Sequence, residues 1–202
     1  MAWKAYAQFW DLSPRGNCSV FYFLSPQSKG SLSKRLPEEI ELVHQQQQMG
    51  EGITLAEPPL AYVSNLSQVP EETAHIFALR LHRLRELPST WSAAQAADFE
   101  LRWMTLHECF AKFSSFLIAG QSHLVPRPSR SEMHSQKSTW ELAHREGYYL
   151  AQKLFERYCS GEIKLESLRD WFKMDWTQSR GSRAMRRLYV LAQEAPLTKN
   201  LR

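Results

Sequence analysis

Several residue types that build familiar chemical sites are scarce in this chain of 202 residues, which holds three cysteines and only eight glycines. Cys18, Cys109 and Cys159 are odd in number and far apart. That spacing excludes a disulfide framework and a paired-cysteine metal knuckle, so the three read as free thiols. Aspartate, the usual metal-ion ligand of phosphoryl-transfer sites, occurs four times. No apolar run approaches the ~20 residues of a spanning helix, and the mean hydropathy is -0.46. The start, Met1-Ala2-Trp3-Lys4, lacks the charged-then-apolar pattern of a signal peptide, which makes a cytoplasmic location the default expectation. There is no GxSxG, Walker, GxGxxG or HExxH motif and no paired-carboxylate constellation. His75 and His82, and the run His107-Glu108-Cys109, lack metal-ligand spacing. The expectation is therefore a protein with no catalytic role, no metal and no cofactor. A site assembled from distant residues such as His144, Glu146 and Tyr148 would leave no such trace.

Apolar residues make up 43% and aromatics 12%, with seven Trp, enough hydrophobic anchoring for a folded core. The 25 Lys+Arg against 21 Asp+Glu give a net charge of +4. That figure averages unlike parts. Residues 1–120 hold 10 basic against 12 acidic residues and residues 121–202 hold 15 against 9. The last 26 residues, 177–202, hold 6 against 1. Basicity concentrated at one end is the pattern that points to an anionic partner.

Along the chain, Trp3–Leu12 and Cys18–Leu24 flank the turn-forming Ser13-Pro14-Arg15-Gly16-Asn17 and are expected to pair as a β-hairpin. The first run also matches a helical stripe through Trp3, Ala7 and Trp10. Lys29–Arg35 reads as a basic loop. Glu39–Gln46 and Ile53–Glu57 form a possible second hairpin around Gly50-Glu51-Gly52, although Pro37 followed by Glu38 and Glu39 also suits a helix start. Ala61-Tyr62-Val63 suits one more strand. After Pro70 the apolar period becomes 3.6. Helices are expected over Glu71–Leu87, over Thr90–Ala119 with Gly120 as cap, from a capping box at Ser138 and Glu141 to Ser160-Gly161, around Leu165–Phe172, and over Arg183–Ala195. The expected class is α+β and predominantly α-helical. A short N-terminal β-hairpin region, about 1–66, precedes about five helices in 67–202, in one compact domain with an exposed connection at about 121–137.

Arg180, Arg183, Arg186 and Arg187 crowd the start of the last helix. Cations there oppose the helix dipole, and a phosphate held by the backbone N–H groups of Gly181–Ala184, the guanidinium forks and the hydroxyls of Ser179 and Ser182 would compensate them. Arg127, Arg130 and Lys137 on the connection form a second basic group. These seven residues are the expected contacts to a DNA or RNA backbone. The expected role is an accessory protein, acting alone or as a subunit of a nucleoprotein complex, with no membrane contact. Trp171, Trp176 and Tyr189 are the nearest aromatics that could stack on bases. The competing expectation is a protein–protein adaptor that uses aromatic helical faces, without nucleic acid.

Overall fold

A computed structural model describes residues 2–12, 20–22, 53–56, 59–63, 65–82, 88–129, 131–132, 138–177 and 181–197. The chain is predominantly helical, and it divides into two compact units, Met1–Arg83 and Leu84–Arg202. No described helix is long and apolar enough to cross a membrane.

The first unit opens with α1 (Ala2–Trp10), not with a strand. Three alanines favour helix here, and the spacing from Tyr6 to Trp10 puts both on one face, where both are buried. The hairpin expected over Trp3–Leu24 therefore does not form. Strand β1 (Val20–Tyr22) instead pairs in parallel with β3 (Pro59–Val63), Val20 opposite Ala61. Strand β2 (Ile53–Ala56) pairs with the other edge of β3, antiparallel, Thr54 opposite Ala61. The sheet order is β1-β3-β2. The expected Lys29–Arg35 loop and the Glu39–Gln46 half of the second hairpin lie outside the described residues.

Helix α2 (Val69–Leu81) follows a capping box in which Asn65 and Gln68 satisfy each other's backbone N–H groups across a turn of 3-10 helix. It buries Ala74, Ile76, Phe77, Ala78 and Leu79. Trp3 and Tyr6 of α1 meet Phe77 edge to face at 5.0 and 6.3 Å, and the Tyr6 hydroxyl donates to the Pro70 carbonyl at 2.8 Å. Thr54 of β2 donates to the buried Glu72 carboxylate at 2.5 Å. Residues 69–81 thus belong with the sheet.

In the second unit α3 (Ala93–Ala119) begins at a capping box of Ser92 with Gln95 and stops at Gly120, whose φ of 70° is the left-handed cap that glycine favours. Its expected spine holds at Phe99, Leu106, Phe110 and Phe113, all buried, while Trp103 and Leu117 are half-buried. Cys109 and Phe116 are buried as well, because α3 is covered on more than one side. Phe110 stacks on Phe172 of α5 (Leu165–Phe172) at 4.0 Å, and Phe113 and Phe116 meet Phe155 of α4 (Thr139–Cys159). Helix α4 starts at the expected box of Ser138 with Glu141.

The contacts between α3 and α4 advance together along both helices: Glu108 meets His144, Cys109 meets Gly147 and Phe113 meets Phe155. The two helices are therefore parallel. The chain between them must travel back along the pair, and ~3.3 Å per extended residue gives it ample reach. Its descent is visible where the Val125 N–H donates to Gln152 at 3.0 Å and Arg127 reaches Glu146, six residues earlier on α4. Helix α6 (Ser182–Ala192) closes the unit, burying Ala184, Met185, Leu188, Tyr189, Leu191 and Ala192.

The parallel pair comes close together at Gly147. A Cβ there would lie 2.5 Å from Glu108 Cβ, 2.9 Å from the Cys109 nitrogen and 3.0 Å from the Thr105 carbonyl oxygen. Gly147→Ala would ordinarily strengthen a helix by ~1 kcal/mol. Here the backbone of α3 cannot yield cheaply, so a net loss of ~1–3 kcal/mol is expected, as for overpacked cores. Urea titration of the two proteins checks this, and equal or higher stability of the alanine variant would refute it.

Candidate nucleic-acid interface

Of the seven basic residues expected to meet phosphate, Arg130, Lys137 and Arg180 lie outside the described residues. The other four separate into two environments. Arg183, Arg186 and Arg187 stand on α6 at spacings of three and four, which place them on one helix face with Val190. Arg183, Arg186 and Val190 are exposed and Arg187 is half-exposed. The opposite face supplies the core. Helix α6 carries no acidic residue, and none of the three arginines has an ion-pair or hydrogen-bond partner among the described residues. Every other described arginine (Arg80, Arg102, Arg127, Arg145, Arg157 and Arg169) has an interaction partner.

Of the phosphate cradle expected at the start of α6, the Ser182 hydroxyl is engaged within the protein, and Ser179 and Arg180 lie outside the described residues. Ser182 accepts a hydrogen bond from Arg102 of α3, a buried guanidinium that also pairs with Asp98. Gly181, with φ of 69°, is buried and packs so that a Cβ would meet the Trp176 carbonyl oxygen at 3.0 Å. The cationic character of α6 is thus presented along its exposed face. At the far end Arg157 of α4 donates to the Leu191 carbonyl, which satisfies one of the orphan acceptors of the helix terminus.

Arg127 has a different setting. One η nitrogen donates to Glu194 at 2.7 Å, and the other donates to the Ala195 carbonyl at 2.6 Å and to Glu146 at 3.3 Å. Its guanidinium lies 5.2 Å from the centre of the Tyr149 ring. Two carboxylates and a carbonyl therefore compete with any external phosphate for this cation. Tyr189 donates to Glu146 at 3.0 Å and Tyr149 donates to Glu194 at 2.8 Å. Burial pushes the Glu146 carboxyl above the usual carboxylate range, against the opposing pull of Arg127 and the Tyr189 hydroxyl. Sequence periodicity places Tyr149, Tyr189 and Glu194 on helices or at their ends, but nothing in it links them to Arg127, because the link depends on the return path of the connection.

Trp171 and Trp176 are fully buried and Tyr189 nearly so, which removes all three as stacking platforms. His144 accepts or donates at Nδ1 to Glu108 at 3.1 Å and stacks on Trp140 at 5.1 Å, with no nucleophile beside it in the described contacts. Cys109 is buried, and burial pushes its thiol well above the usual range, with Glu146 and Glu108 adding to the effect, so it is unsuited to attack as a thiolate. No family description, curated protein or solved structure matches the chain.

Burial and the hydrogen bond to Glu194 raise the Tyr149 phenol from 10.0 to about 12. A pKa raised on folding means that the hydroxyl's contribution is complete below pH 10 and is lost as pH rises toward 12. Tyr149→Phe should therefore lie below the parent protein in stability by a constant margin up to pH 10, and the margin should close above it. Denaturant titrations at a series of alkaline pH values, with phenolate absorbance followed in parallel, provide the check; a margin that ignores pH contradicts the assignment.

Proposed function

We propose that this chain is a non-catalytic accessory protein that contacts the phosphate backbone of DNA or RNA through the exposed face of α6, as a subunit of a nucleoprotein complex. The carrying observation is the contrast among the arginines. Three of them share the face of an acid-free helix without partners, while the protein engages its other described arginines internally. A row of unneutralised guanidinium groups raises the local positive potential, and each fork can grip a phosphate bidentately. Helix packing holds their spacing, so little backbone ordering remains to oppose binding.

The burial of Trp171, Trp176 and Tyr189 favours an electrostatic contact over base stacking. Arg130, Arg180 and Lys137 belong to the proposal through their charge alone, and Arg127 contributes to the fold of the interface more than to its contacts. Three of the seven tryptophans that an adaptor could present, Trp10, Trp171 and Trp176, are interior, whereas Trp3, Trp91 and Trp103 are half-buried and Trp140 is exposed.

Binding of a fluorescent duplex, measured over a range of salt concentrations, tests the proposal. If all three arginines neutralise phosphates on B-DNA, log K should fall against log salt with a slope near -2.7, since each contact contributes ~0.9. Each single alanine substitution at Arg183, Arg186 or Arg187 should lower the slope by about one unit, without regard to sequence. The triple alanine variant should lose binding while keeping its fold. Salt-independent binding, or full affinity in the triple variant, overturns the proposal.

A further inference from the structure

The Arg127 cluster joins two irregular stretches of chain: the returning connection, through Val125 and Arg127, and the residues after α6, through Glu194, Ala195 and Leu197. Both are held by hydrogen bonds to side chains. Val125 N–H donates to Gln152, and Leu197 N–H donates to the Tyr189 hydroxyl at 3.2 Å. That hydroxyl donates in turn to Glu146 Oε1. Glu146 is buried, its second oxygen has no hydrogen-bond partner, and it lines a cavity shared with Thr105, Met185, Tyr189 and Leu197. The cavity offers the centre of a water molecule about 10 Å³, room for roughly one.

The charges do not balance when both acids are ionised. Arg127 faces Glu146 and Glu194 together, one cation against two carboxylates. Among the described residues no other group repairs the deficit. Arg102, across the cavity on α3, is committed to Asp98, and Glu108 on the same helix adds negative charge and is engaged with His144. Cys109, also on α3, is a neutral thiol, and Tyr149 and Tyr189 contribute neutral hydroxyls. With Glu146 protonated, Arg127 and Glu194 match one to one.

We propose that Arg127, Glu146 and Glu194 form a proton-operated clasp that fastens residues 194–197 to the connection, closed when Glu146 is neutral and loosened when it ionises. Ionisation leaves a net negative cluster with an orphaned oxygen in a water-poor site, and the nearest relief is entry of water beneath Leu197. The raised Glu146 carboxyl agrees with this direction: its folded pKa lies above its ordinary value, so the stabilising state is the protonated one and is lost as pH rises. The clasp operates on the chain that leaves α6, and it stands or falls independently of nucleic-acid binding.

Amide hydrogen exchange by NMR, corrected for the intrinsic dependence on pH, reads the clasp at Leu197 and Val125, while the Glu146 side-chain carboxyl resonance reports its titration. In the parent protein, protection at Leu197 should fall several-fold as pH rises through the Glu146 midpoint, and protection in the α3 core should not change. Glu146→Gln should hold the high protection at every pH. Glu194→Gln should invert the response, because an ionised Glu146 then becomes the sole acidic partner of Arg127 and closes the clasp at high pH. A Leu197 profile that ignores the Glu146 midpoint overturns the proposal, as does the same profile in Glu194→Gln as in the parent. The parent titration and the Glu194 variant decide the matter even if Glu146→Gln fails to fold.

Discussion

At Gly147 the backbone of α4 comes so near Thr105 and Cys109 of α3 that no side chain fits between them. This approach lets two helices of 27 and 21 residues run in parallel with their aromatic faces interleaved. The rest of the second unit depends on it. Parallel neighbours cannot be joined by a short turn, so the intervening chain has to retrace the length of the pair. In doing so it brings Arg127 beside Glu146. Without the close approach, the connection would have no groove to follow and the cluster at Arg127 would have no site.

The same packing sorts the basic residues by role. Arg102, Arg127 and Arg157 are used to join elements: α3 to the start of α6, the connection to the residues that follow α6, and α4 to the last turn of α6. All three act on α6 or its immediate continuation. The helix is thus held at its start, at its end and through its buried face, which leaves only the face bearing Arg183, Arg186, Arg187 and Val190 turned outward. An electrostatic surface is most useful when its charges keep fixed positions, and these interior arginines provide that fixity for the exterior ones.

Much of the helical part was legible in the sequence because its signals are local. The 3.6-residue period of Phe99, Leu106, Phe110 and Phe113, the paired caps at Ser138 and Glu141, and Gly120 as a left-handed stop each depend on neighbours within a few residues. The beginning of the chain was not legible in that way. Trp3–Trp10 fits either period, and its partner, Phe77, lies far along the chain, so tertiary packing decided for helix. The site showed the same division. The stripe of Arg183, Arg186 and Arg187 can be read from spacing alone. That Arg127 would be an internal cation could not be, since its partners, Glu146 and Glu194, are 19 and 67 residues away and meet it only through the parallel arrangement of α3 and α4.

The Arg127–Glu194 pair also closes a ring. The 67 residues it spans include α4, α5 and α6 entire, so the pair acts as a noncovalent cross-link around three helices. Closing a loop of that length costs about 0.5 kcal/mol more entropy than closing the 36-residue loop between Glu108 and His144, by the logarithmic rule for flexible chains. Once closed, the ring limits how far fraying at the end of α6 can spread, because residues 194 and 195 are tethered to chain that precedes α4. A single arginine on an irregular stretch thereby gives three helices a common boundary condition.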